Sequence, residues 1–303
     1  MQHLLNVDLK YSFKGHRGAV YTLCKDLNAV DLLSAGSDGM IIRWQPNLSQ
    51  DGISIASIPD KIFCLLSSQK QSTLFAGTLS GDLFCIQIDG SKQVRRFRFH
   101  SNSIYRLALW KDHLISIAAD GIISLWNVEA GQWMHHLQLS SSKLRSMSID
   151  ELADCIYVGD GNGNLFVLSL PDFQVIDKRH SVHDKTVFSL LSMESDKMLM
   201  SGGIDARLKL WKPGFEMINE LKAHWFAVND IVSLEGTNYI ATASRDKSIR
   251  IWQKQSMDLV KEISRPKFAA HSHSVNSLCW IKESQILFSA GDDGMIYGWH
   301  ITY

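Results

Sequence analysis

Two adjoining stretches decide the fold: GHRGAVYTL at 15–23 and LLSAGSDGMIIRW at 32–44. Val20 to Leu23 and Leu32 to Gly36 are short runs of apolar and small residues. Asp38-Gly39 is a turn dipeptide, and Met40 to Trp44 is a second apolar run that ends in an aromatic anchor. Strand-length runs separated by Asp-Gly predict an antiparallel hairpin. A helix would need apolar residues recurring three and four apart, and no window of 11 residues along the chain keeps that period. The chain reads as all-β.

Working outward, the same arrangement returns with its anchor at Trp44, Ile86, Trp126, Leu168, Trp211, Trp252 and Trp299, in steps of 40 to 47 residues. A period of that size houses four short strands with their turns, and seven copies suit a closed propeller. The expectation is a seven-bladed β-propeller of four-stranded antiparallel blades, with 1–303 as a single domain. The seventh copy stops at Tyr303, just after its third strand, while Leu9 to Phe13 precedes the first blade and belongs to none. Pairing that segment with the last blade would supply the missing outer strand, close the ring and leave no open sheet edge.

GHRGAV, LMSGGIDARLKLW at 199–211, AHWFAVNDIV at 223–232 with TASRDKSIRIW at 242–252, and FSAGDDGMIYGW at 288–299 resemble the signatures of the WD-repeat family. The resemblance covers essentially the whole chain. One departure is consistent: the Asp that follows the Trp in that family is replaced by Gln45, Asn127, Lys212, Gln253 and His300.

Four polar positions repeat with the blades. They are His16, Ser34, Asp38, Trp44; His100, Ser116, Asp120, Trp126; His183, Ser201, Asp205, Trp211; His224, Thr242, Asp246, Trp252; and His271, Ser289, Asp293, Trp299. A Ser, a His and an Asp together invite a hydrolase reading. Five copies argue against it, since an enzyme needs one exposed site whereas a repeated fold needs one buried polar network per blade. The resemblance implies the second role, with Trp donating, Ser or Thr relaying, and the Asp–His pair tying the hairpin turn to the neighbouring loop. Blades two and four break the set with Ile58, Ala76, Ser80, Ile86 and with Ser140, Val158, Asn162, Leu168. Blade two reads as an apolar substitute, because replacing every partner by apolar groups is nearly neutral.

Other chemistry is weak, and no catalytic residue, cofactor or metal is expected. Asp160-Gly-Asn162-Gly-Asn164 starts like a calcium loop but lacks the Gly and Glu that complete one. Gly159, Gly161 and Gly163 imitate a dinucleotide fingerprint with no helix after them. His180, His183, His135, His136, His271 and His273 come without a Cys-x-x-Cys. Lys plus Arg (31) equals Asp plus Glu (31), so no global field points to nucleic acid or to an anionic membrane. The N-terminal residues do not read as a signal peptide and no apolar run could span a bilayer. The five cysteines are scattered through apolar runs. Together these lead to the expectation of a soluble protein in a reducing compartment, the cytoplasm first and the nucleus left open.

In the resembling family partners contact the face that carries the loops before the innermost strands, three and five residues after the His and just before the turn Asp. Five after the His stand Tyr21, Phe63, Tyr105, Arg145, Phe188, Asn229 and Asn276. Trp225, Phe226 and Arg245 join this expected face. Tyr, Phe and Arg are good interface anchors, and the competing reading packs the rings in the channel wall. The connection from Trp252 to His271 spans 19 residues where the others need 13 to 15, with the excess around Ser264-Arg-Pro-Lys-Phe268. Arg17, Lys61, Lys143, Arg145, Lys185, Arg245, Arg265 and Lys267 outnumber Asp60, Asp184 and Asp292 over the same loops. The expected function is therefore a non-catalytic interaction scaffold or complex subunit that binds an acidic or phosphorylated protein segment. The alternative is an enzyme or small-ligand binder at the channel mouth, and a nucleic-acid partner comes third.

Overall fold

The structure is a computed structural model that describes residues 5–303 apart from 29, 71, 89 and 92. Its strands form seven four-stranded sheets. In six of them the strands follow chain order, as in Val20–Lys25, Leu32–Gly36, Met40–Trp44 and Ile53–Ser57 of blade one. The seventh combines Val275–Ile281, Ile286–Gly291 and Met295–Thr302 with the N-terminal strand Asn6–Lys14. That strand runs antiparallel to Met295–Thr302 from Asn6 opposite Thr302 to Lys14 opposite Met295. The first strand thus completes the last blade, as the sequence led us to expect, over nine residues rather than the five of Leu9 to Phe13. Phe13 shows why the pairing is strong. Its ring is fully buried and stacks on Trp44 of blade one at a centroid distance of 4.9 Å.

Contacts gather into two compact units. One comprises the described residues up to Gln69 together with Asn229–Tyr303, the other Lys70–Val228.

The hairpin turn between second and third strands needs a left-handed residue. Glycine supplies it in five blades, at Gly39, Gly81, Gly121, Gly163 and Gly294. A Cβ on Gly39 would stand 2.0 Å from the carbonyl oxygen of Ile58, so close approach as well as φ demands glycine there. Blades five and six place Ala206 (φ 62°) and Lys247 (φ 75°) at this position instead. A second left-handed position follows the third strand in blades four to six. Phe173, Phe215 and Met257 occupy it with φ between 52° and 58°, and all three side chains are buried. The strain of a positive φ is offset by the apolar area each one removes from water.

Neighbouring inner strands are tied by a column of residues six after the His. Leu23 N–H donates to Ser277 Oγ (3.1 Å), Leu65 N–H to Thr22 Oγ1 (3.3 Å) and Leu278 N–H to an Asp230 carboxylate oxygen (2.9 Å). In the second unit Ser146 Oγ donates to the Val187 carbonyl (2.8 Å) and Ser189 Oγ to that of Val228 (3.2 Å). Blade edges that would bury unsatisfied backbone groups are satisfied this way.

Candidate interaction site

The backbone of the inner strands sets up the site. In blades one, three, four, five and seven the ladder between first and second strands skips one residue, between Val20 and Thr22, Ile104 and Arg106, Leu144 and Ser146, Val187 and Ser189, and Val275 and Ser277. The skipped residues are Tyr21, Tyr105, Arg145, Phe188 and Asn276, five of the seven that sequence marked as contact candidates. A β-bulge leaves its extra residue unpaired, bends the strand and re-aims the side chain. All seven candidates are half-buried, so they are neither free of the inner wall nor sealed within it.

In the unit of Lys70–Val228 three of them meet. The Arg145 guanidinium lies over the Tyr105 ring at 4.1 Å and 5.2 Å from the centre of the Phe188 ring. Two rings on a cation form a stiff, amphipathic anchor, because the attraction to the ring faces holds a side chain that otherwise has many rotamers. Trp225 (71% exposed) and Phe226 (57%) lie in the loop ahead of Val228–Leu234, with Lys222 Nζ 5.1 Å from the Trp225 ring. Two adjacent aromatic side chains this exposed are uncommon on a surface that does not bind.

In the other unit Tyr21 and Phe63 tilt together at 5.1 Å. The remaining two candidates are amides. Asn276 Nδ2 donates to the Val20 carbonyl (3.0 Å) and to Asp292 (2.7 Å), while Asn229 Nδ2 donates to Ser274 Oγ (3.0 Å) and the Val275 carbonyl (2.8 Å). Burial, and then the Asp292 charge, raise the Tyr21 phenol above its ordinary range. This sector is polar where the first is cationic and aromatic. Arg245, in this unit, is exposed, as are Arg17, Lys61, Arg265 and Lys267; Lys143 and Lys185 are exposed in the other.

The repeated polar set forms continuous hydrogen-bond chains in blades one, three, five and seven. In blade one His16 Nδ1 lies 3.1 Å from Asp38, His16 Nε2 2.7 Å from Ser34 Oγ, and Trp44 Nε1 donates to that oxygen at 2.8 Å. Blade five repeats this through His183, Asp205, Ser201 and Trp211, and blade seven through His271, Asp293, Ser289 and Trp299. In blade three the chain of His100, Asp120, Ser116 and Trp126 gains Ser124, 2.7 Å from Ser116 Oγ and an acceptor for Trp126 Nε1 at 2.8 Å. In blade six Trp252 Nε1 donates to Thr242 Oγ1 at 2.8 Å, His224 is buried, and Asp246 takes the N–H and hydroxyl of Ser248. Satisfying each chain end to end places the imidazole proton on Nδ1, toward the Asp. Burial alone would raise these carboxyls, but hydrogen bonds from His and from two backbone N–H groups outweigh it for Asp120, Asp205 and Asp293, the last lowered to about 2. Every Ser or Thr of the set is sealed from solvent. No substrate can reach those hydroxyls, so hydrolysis at them is sterically closed.

Two blades differ from the sequence reading. In blade four the buried acid is Asp160 and not Asn162: it accepts the hydroxyl of Ser140 (2.8 Å) and the N–H groups of Asn162 and Asn164. Blade two is not simply apolar. Asp82 pairs with Arg96 and Arg98 on the outer strand and exchanges hydrogen bonds with buried Thr78. Both acids sit two residues away from the fixed spacing used to look for them. The column at Thr22, Ser146, Ser189, Asp230 and Ser277 was overlooked as well, although small polar residues recurring six after the His were a visible signal. Among the described residues no cluster of three or more His, Cys, Asp or Glu could hold a metal ion.

The model of the family "WD domain, G-beta repeat" matches residues 8–45, 215–253 and 263–300. The crystal structure of the WD40 β-propeller domain of Doa1 superposes with a TM-score of 0.85 over 98% of this chain and 97% of that one, at 16% identity. The chain is a seven-bladed β-propeller, with WD40 repeats matched at those three segments. Among curated relatives, actin-interacting protein 1 of Caenorhabditis elegans is 23% identical over 95% of this chain and 48% of its own length. Autophagy-related protein 16 of Arabidopsis thaliana is 20% identical over 94% of the chain and 56% of its own length, and SIR4-interacting protein SIF2 of Saccharomyces cerevisiae 23% over 66% and 40%. The chain thus spans about half the length of these relatives.

Proposed function

We propose that this chain is a non-catalytic protein-binding platform, a scaffold or complex subunit. The observation that carries the reading is the inner-strand bulge repeated in blades one, three, four, five and seven, which presents Tyr21, Tyr105, Arg145, Phe188 and Asn276 outside the ladder. Tyr105, Arg145, Phe188, Trp225 and Phe226 in one unit, and Tyr21, Phe63 and Arg245 in the other, are the proposed contact residues. Aromatic rings and Arg combine large contact area with few freely rotating bonds or with several donors, which suits the centre of an interface. Two of the relatives are named for the proteins they interact with, which supports a protein as partner. The exposed Lys and Arg side chains of the loops favour an acidic or phosphorylated segment. A cytoplasmic setting belongs to the same reading, supported by five cysteines of which none is bridged.

The test compares affinity capture from the native source using the unaltered chain, Tyr105→Ala with Phe188→Ala, and Trp225→Ala with Phe226→Ala. Proteins captured by the unaltered chain should be lost from both variants while melting temperatures stay within a few degrees. Undiminished capture by both would remove these residues from the interface.

A further inference from the structure

The long connection between the sixth and seventh blades has a structural use that the fold does not require. After the strand Leu259–Ile263 the chain turns at Ser264, whose carbonyl accepts the Phe268 N–H at 3.1 Å. Phe268 then sets its ring edge-on to Trp299 at 6.0 Å, and Arg265 Nε donates to the Ala270 carbonyl at 2.7 Å. The loop is therefore pinned at both ends. Between it and the turn of blade six lies a pocket of about 350 Å³ lined by Asp246, Lys247, Ser264, Arg265, His271 and Ser272.

Lys247 is the telling residue. It holds φ at 75° where five other blades place glycine, so a cation is kept in a conformation that L side chains rarely adopt. Among the described residues neither Lys247 nor Arg265 has a carboxylate partner. The one lining carboxylate, Asp246, is occupied by Ser248, and both ring nitrogens of His271 are held by Asp293 and Ser289. The Ser264 and Ser272 hydroxyls bond to Glu262 (2.8 Å) and to His273 (2.9 Å), near the pocket's rim.

We infer that this pocket binds the phosphate of a phosphorylated serine or threonine in a protein segment. The inference rests on the reading of the chain as a protein-binding platform and gives one of its contacts a chemistry. The Arg265 Nη groups, left over once Nε is given to Ala270, with the Lys247 ammonium and the Ser272 hydroxyl, which can accept from His273 and donate inward, offer more donors than a carboxylate's two oxygens can use, and suit the three terminal oxygens and near-double charge of a phosphomonoester. A membrane would want an apolar wedge beside the cations and a nucleotide an open ring to stack on. Phe268 offers neither, because its ring is seated against Trp299.

The experiment titrates the full chain with N-acetyl-phosphoserine methylamide, its unphosphorylated counterpart, inorganic phosphate, and phosphatidylcholine vesicles with and without phosphoinositide. The phosphoserine amide should bind saturably and the serine amide not at all. Lys247→Gly and Arg265→Gln should each weaken binding by about tenfold or more, the loss expected for a charged hydrogen bond. Lys247→Gly relieves the positive φ, so it keeps the fold even if loss of the Arg265 tie to Ala270 loosens the loop. No saturable binding of the phosphoserine amide, or binding untouched by both variants, overturns the inference. Inorganic phosphate binding as tightly would reassign the pocket to a free anion and vesicle binding without the amide to a membrane, and either result also overturns it. The capture test at Tyr105, Phe188, Trp225 and Phe226 stands or falls separately.

Discussion

Replacing Asp293 by Asn tests whether the buried polar chains act as stability devices. Asp293 accepts His271 Nδ1 at 2.9 Å, the Ser272 N–H at 2.8 Å and the Met295 N–H at 3.2 Å, and its side chain is 7% exposed. Burial works against the charge, yet these donors lower the carboxyl to about 2 from an ordinary value of 3.8. That lowering corresponds to about 2 kcal/mol of stability. Asn keeps the shape but turns an amide N–H toward a donor. Asp293→Asn should therefore lose about 2 kcal/mol at neutral pH.

The pH dependence makes the result specific. A carboxyl with a lowered folded-state pKa binds fewer protons folded than unfolded, so its contribution is complete above about pH 5 and drains away as the pH falls through 4 toward 2. At pH 3 about 1 kcal/mol of it should be gone. Asp38, Asp120 and Asp205 are lowered by the same kind of contacts. They are common to both proteins, so subtracting the variant's curve from the parent's isolates Asp293. Urea unfolding of the two proteins at pH 7, 5, 4 and 3 is the assay. A gap that stays constant from pH 7 to 3, or no gap at pH 7, would refute the reasoning.

Three further outcomes follow from the packing. Phe13→Ala removes a fully buried ring stacked on Trp44 and should cost about 3–5 kcal/mol, read as a lower melting temperature with earlier hydrogen exchange in Met295–Thr302. Ser277→Ala leaves the Leu23 N–H without its acceptor between blades seven and one, a loss of about 1–3 kcal/mol by chemical denaturation, whereas Ser277→Thr should retain most of it. Burial pushes the Cys279 thiol up to about 12 and that of Cys85 to about 12, so neither should react with a thiol reagent at pH 8 until urea unfolds the chain; rapid labelling of the native protein would contradict their burial.

The architecture was legible because the repeat is dense with local signals. Asp-Gly turns at fixed distance from a Trp anchor fix the hairpins, and the stray segment at Leu9 had only one blade to complete. What escaped was set by non-local or conformational detail. Phe173, Phe215 and Met257 sit at left-handed positions where a reader expects glycine, and only the buried space around them explains that choice. Blade two's Asp82 is neutralised from the outer strand, a pairing no spacing rule within the hairpin could reveal. Asp160 was missed because the count fell on Asn162. At the candidate site the positions were found through family resemblance, but that Arg145 is held by Tyr105 and Phe188 depends on how far each bulge turns its strand.

On the proposed function, the bulge also separates stability from recognition. The residue four after the His or its equivalent, at Val20, Ile62, Ile104, Leu144, Val187, Val228 and Val275, is aliphatic in every blade and shows no exposure at all. The residue six after the His is mostly small or polar because it ties one blade to the next. Between them stands a position that holds Tyr, Phe, Arg or Asn. A repeat reproduces a side chain wherever the backbone needs it, and seven near-identical inner strands that keep both neighbours do not need any one residue there. Asn229 and Asn276 also tie their blade to the next, but a residue such as Phe188, freed from the ladder and half-exposed, can be changed at little cost to folding. Its substitution should therefore move binding and leave the melting curve nearly in place, the reverse of what substitution at Asp293 should do.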